Sequence, residues 1–164
     1  MMRITEAKQR SAMAMLVFNK LKSQGVVASL IANMPKDMEY INVDPEFIAD
    51  HLYMADFHTG LDYYTPWWPW SDAYAMVKSG NYSRMYLSTR KLDRNIDSLC
   101  GSIAHEWGHC LEFWWKKHMN FGHEFNHGDN IRKDNTFQYQ LGAKVKAYVK
   151  ANRTELLRDI GYIK

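Results

Sequence analysis

One stretch of this chain leaves little choice of structure. From Asp93 or Asn95 to about Lys117, Leu99, Ile103, Cys110 and Trp114 recur with helical spacing, and no proline interrupts them. The pattern predicts a long helix with one apolar side. Inside it stands His105-Glu106-Trp107-Gly108-His109. Side chains four residues apart share a helix face, so the two imidazoles can converge on one ion. Glu106 projects about 100° away from His105. It is therefore no ligand beside that pair, but it can reach a water molecule that the ion holds. Gly101, Ala104 and Gly108 keep parts of the helix surface thin, which lets neighbouring backbone come close.

The rest of the chain reads as a mixture of helices and short strands. Thr5 to Gln24 has a capping threonine, an apolar face of Leu16, Val17 and Leu21, and Gly25 to end it. Val26 to Ala32 is an apolar run that suits a short strand. Asp44-Pro45-Glu46 opens a helix with an N-cap aspartate and proline in the first turn, extending to about His58. Residues 62–70 hold two prolines and three tryptophans, a composition that excludes regular structure there. Such a loop either lines a cleft or is pinned to the core by its rings. Ala73 to Lys78 and Arg84 to Thr89 read as two strands joined through Ser79-Gly80-Asn81. Residues 119–135 have loop composition. Thr136 begins a last helix to about Ala151, and a short helical piece follows from Thr154. The fold class is α+β, in a single domain over 1–164.

With 164 residues, such a domain buries about two-thirds of its unfolded surface and needs no disulfide. Cys100 and Cys110 lie on the same helix about 15 Å apart, beyond the reach of a mutual bond. The formal charge of +3 does not demand a polyanionic partner. The excess is uneven: eight Lys or Arg face three Asp or Glu from Ile131 onward. A solvated helix face accounts for this, although a basic C-terminal helix can also touch nucleic acid. The apolar run Ala12 to Phe18 is far shorter than the roughly 20 residues a membrane span needs. No small-residue cleavage site follows it, so no signal peptide and no membrane partner are expected.

Two histidines with an adjacent carboxylate are the means by which a helix holds Zn²⁺ and a general base. A catalytic site of this kind takes a third protein ligand and leaves one position to water. The candidates stand in the loop Phe121-Gly122-His123-Glu124-Phe125-Asn126-His127-Gly128-Asp129-Asn130. His127 is favoured, because Gly128 can turn the chain back and Asp129 can orient an imidazole. His123 is the alternative, with Glu124 or Asp129 behind it. His51, His58 and His118 read as surface or core residues. Tyr139 opens the last helix, where its phenol can donate to a developing oxyanion or simply fill the core.

The segment Ser98 to His109, with Met85 to Leu92 before it, resembles the zincin metallopeptidases. More narrowly, it is similar to small zincin-like peptidases common in bacteriophage genomes. Phe121-Gly-His123, His127-Gly-Asp-Asn130 and Thr136-Phe-Gln-Tyr-Gln-Leu-Gly142 extend the likeness, which covers about residues 70–142. Family members often have proline before the tyrosine; this chain has Gln138, which leaves the local turn open. No Asp lies between Thr136 and Tyr139, so the ligand of the aspartate-type zincins is not carried over.

The resemblance implies a zincin-like domain with one Zn²⁺ per chain. It makes His105 and His109 ligands, Glu106 the base and His127 or His123 the third ligand. It further implies hydrolysis of a protein or peptide substrate, in the host cytoplasm or the virion. In zinc peptidases of this kind the strand before the motif helix often forms the sheet edge that receives substrate. Two alternatives remain at this level. SprT-type proteases, which act on DNA-associated proteins, share the motif helix and a later histidine loop. A zinc fold kept as a structural or binding domain, without turnover, is the other.

Overall fold

A computed structural model describes residues 4–38, 41–68, 70–71, 73–78, 80–115 and 133–163. Helix α1 (Ile4–Ser23) buries Val17, Phe18 and Leu21. Leu16, expected on that face, is instead 57% exposed: it lies one position off the stripe that meets the core. Gly25, at φ 74°, takes the left-handed conformation that glycine tolerates best and starts a second helix, α2 (Val26–Ala32). The strand expected over these residues is thus a helix. A seven-residue apolar run does not separate the two by period. Here Val27 and Ile31, one helical turn apart, are the residues the core buries.

Helix α3 (Pro45–Asp50) starts as its sequence dictates, with the Asp44 carboxylate accepting from the Glu46 N–H at 2.9 Å. It ends eight residues short of His58. Pro45 and Ile48 are its buried positions, while Phe47, Tyr53 and Met54 face solvent, so no apolar stripe sustains further turns. A 3-10 turn, Leu52–Met54, follows.

Strand β1 (Gly60–Tyr64) occupies part of the stretch in which prolines were expected to exclude regular structure. Pro66 and Pro69 come after the strand and limit only its end. Strands β2 (Ala75–Met76) and β3 (Arg84–Ser88) form the expected antiparallel pair, with β2 shorter than its apolar run. β1 pairs with β3 in parallel from Gly60↔Arg84 to Tyr64↔Ser88, and the order is β1-β3-β2. The strand before the motif helix is therefore central, not an edge. Met85 and Leu87 alternate into the core from it.

The motif helix, α4 (Ile96–Trp115), is the element around which the others pack. Leu99, Ile103, Cys110 and Leu111 are fully buried. The Cys100 thiol donates to the Ala14 carbonyl of α1 at 3.4 Å, and the two cysteines are free and buried. Tyr63 of β1 shares a 2.7 Å hydroxyl contact with Ser11 of α1, which ties the sheet to the helices. Helix α5 (Phe137–Ala151) has Thr136 at its N-cap and lies along α4; α6 (Arg153–Asp159) follows. Thus the fold is mixed α+β, six helices and a three-stranded sheet among the described residues. No helix among them is long and apolar enough to cross a membrane.

Candidate metal centre

The contact between α4 and α5 shapes the site. A Cβ on Gly101 would stand 2.9 Å from the Gly142 carbonyl oxygen; one on Gly142 would stand 2.8 Å from that of Gly101. Either distance is shorter than real Cβ contacts allow. The two glycines let the helix backbones touch. Gly108 meets Phe137 and Gln138 in the same manner. These are two of the three thin positions anticipated on α4. Their consequence is that the first turns of α5 are pressed against the histidine face.

His105 and His109 lie on that face with ring centroids 5.2 Å apart. His109 is 8% exposed and His105 is half-buried. Tyr139 sets its ring edge-on against His105 at 4.6 Å between centroids. The phenol is half-buried beside the imidazole pair, not sunk in the core. Gln138 does not disturb the turn: it is a buried residue in the first turn of α5, a position that also accepts proline.

Glu106 is 6% exposed. Among the described residues no hydrogen bond or ion pair engages its carboxyl. Burial pushes its pKa up to about 8, because an ion in a low-dielectric setting loses its hydration. Tyr64, at the end of β1, is raised by its own burial and then by the nearby Glu106 charge. The carboxyl therefore lies near Tyr64, at the end of β1.

Two side chains near the site carried no marked signal. Glu112 follows His109 by three residues and His105 by seven, which puts it on the imidazole face. It is 7% exposed and accepts a 2.8 Å hydrogen bond from the Gln138 amide nitrogen. Extending the histidine face by one turn would have found it. Gln138 was visible only as a departure from a family pattern; its Oε1 is buried with no hydrogen-bond partner among the described residues.

No family model, curated protein or solved structure matches the chain.

Imidazole nitrogens one turn apart are the donors that Zn²⁺ takes at about 2.0–2.1 Å, and a buried carboxyl next to them gains from a neighbouring cation. The residues present fit such an ion. Among the described residues no group of three or more His, Cys, Asp or Glu converges. His127, His123, Glu124 and Asp129, the third-ligand candidates, lie outside the described residues, as does His118. His51 bonds the Phe47 carbonyl through Nδ1 and stacks on its ring, which makes it a local cap of α3. The basic C-terminal residues Lys146, Lys150 and Arg153 line a cleft with Arg94, but Asp93 and Asp97 line it too.

The tryptophan loop is not pinned to the core. Trp67 and Trp70 are 83% and 73% exposed. Trp68 packs between them, at 4.9 and 5.3 Å between centroids.

Proposed function

We propose that this protein is a zincin-type metallopeptidase that binds one Zn²⁺ through His105, His109 and a third ligand, His127 or alternatively His123. The observation that carries the reading is Glu106, a buried carboxyl with no protein partner among the described residues, beside two imidazoles on one helix. Burying an ionisable group without compensation is costly and is retained where chemistry uses it. When bound, Zn²⁺ supplies a Lewis acid that polarises a peptide carbonyl and lowers the pKa of water.

The remaining work falls to the chain. Glu106 takes a proton from the attacking water and passes it to the leaving amine, restoring its own starting state. Tyr139, against His105, donates its phenol to the oxyanion that forms as the carbonyl becomes tetrahedral. Extended peptides bind sheet edges, and the edges in this sheet are β1 and β2.

The test is metal content with activity. Protein purified without chelator is expected to carry one zinc per chain and to cleave an unfolded protein substrate. Glu106→Gln should keep the zinc and abolish cleavage. Absence of any transition metal would sink the reading, and so would a Glu106→Gln variant that cleaves as well as the parent.

A further inference from the structure

Trp107 follows His105 by two residues, which sets it about 200° round α4, on the far side from the imidazoles. On that side lies a cleft of about 510 Å³. Its walls include Trp107, Phe57, Leu52, Tyr53 and Ala28, and Lys22 enters it from α1. Clefts of 300–1,000 Å³ with apolar walls and a few polar groups are the usual form of small-molecule sites. Phe57 and Trp107 are nearly parallel, at 14°, with centroids 6.1 Å apart. The two parallel rings stand together in the wall of the cleft.

Lys22 is the anomaly in this cleft. Its Nζ lies 5.1 Å from the Trp107 ring and 5.3 Å from the Phe18 ring. The ion pairs among the described residues join Lys20 to Asp159, Lys36 to Asp44 and Glu46, and Arg84 to Asp62; Lys22 is in none of them. Burial holds the Lys22 ammonium below its usual range. A half-buried cation is thus met by ring faces and, among the described residues, by no carboxylate.

We propose that this cleft binds a small aromatic monocarboxylate, with its carboxylate on Lys22 and its ring against Phe57 and Trp107. One unpaired cation matches one negative charge. A phosphate carries two charges, and Lys22 is the one charged residue among those that line the cleft. The site is independent of the metal centre and of the peptidase reading.

The test is calorimetric titration of the full chain with 2-naphthoate and with its neutral counterpart 2-naphthylmethanol. Naphthoate should bind once per chain, and the alcohol about tenfold or more weakly, the usual worth of a charged hydrogen bond. Lys22→Met should bring naphthoate down to the alcohol's affinity and leave peptidase activity unchanged. Lys22→Arg should retain naphthoate binding. The parent comparison of acid with alcohol stands even if Lys22→Met does not fold. Equal binding of the two, undiminished naphthoate binding by a folded Lys22→Met, or no binding of naphthoate at all would each overturn the proposal.

Discussion

Gly142 of α5 lies so close to Gly101 of α4 that a Cβ on it would stand 2.8 Å from the Gly101 carbonyl oxygen and 3.3 Å from the Cβ of His105. One missing methyl group thus couples helix packing to the position of the His105 imidazole.

Gly142→Ala should therefore destabilise, although alanine inside a helix normally gains about 1 kcal/mol over glycine. Overpacking against rigid backbone costs about 1–3 kcal/mol, so a net loss of up to about 2 kcal/mol is expected, with weaker zinc binding. Gly108→Ala meets the Gln138 side chain at 3.2 Å, which can move, and should lose less. Urea unfolding of the metal-free variants ranks them; a stabilised Gly142→Ala would show that the helices do not touch there.

Glu106 predicts a pH dependence in the metal-free protein. Its folded pKa is raised, to about 8 from 4.5. Between those values the folded state keeps a proton that the unfolded chain has lost. Stability therefore falls as pH rises through this window, by up to about 1.4 kcal/mol per pH unit, and the penalty is complete above pH 8. Glu106→Gln removes that slope. In chelator, the variant should match the parent near pH 4 and exceed it at pH 8. Zinc should recover the parent at pH 8, because a cation favours the ionised carboxylate. Parallel stability profiles for the two proteins would contradict the burial of this group.

Tyr139→Phe separates a donor from a packing residue. The ring contact with His105 survives, while the hydroxyl is lost. If the phenol serves the oxyanion, kcat falls about 10²–10³-fold with KM and zinc content held. A variant with unchanged kcat would assign Tyr139 to packing alone.

Gln138→Leu removes the donor to the buried Glu112 carboxylate. Losing one partner of a charged hydrogen bond costs about 1.5–3 kcal/mol. Zinc affinity should weaken too, since Glu112 shares the histidine face. Thermal melts with and without zinc measure both effects; a neutral substitution would mean that the bond carries no weight.

Local rules decided what local contacts hold. The period of residues 99–114 was enough to draw α4 and to place His105 and His109 on one face, because i and i+4 neighbours meet in any helix. Asp44-Pro45 likewise set the start of α3, and the spacing of the cysteines ruled out a bond between them. What depended on distant partners stayed hidden. Val26–Ala32 is a helix because Val27 and Ile31 are buried against other elements. β3 is a central strand because β1, some twenty residues earlier, pairs with it in parallel. The placing of Tyr139 on His105, the burial of Glu106 and the seating of Lys22 over the Phe18 and Trp107 rings all follow from how α1, α5 and the sheet close around α4. Periodicity reports which residues share a face; only the packed chain determines what that face meets.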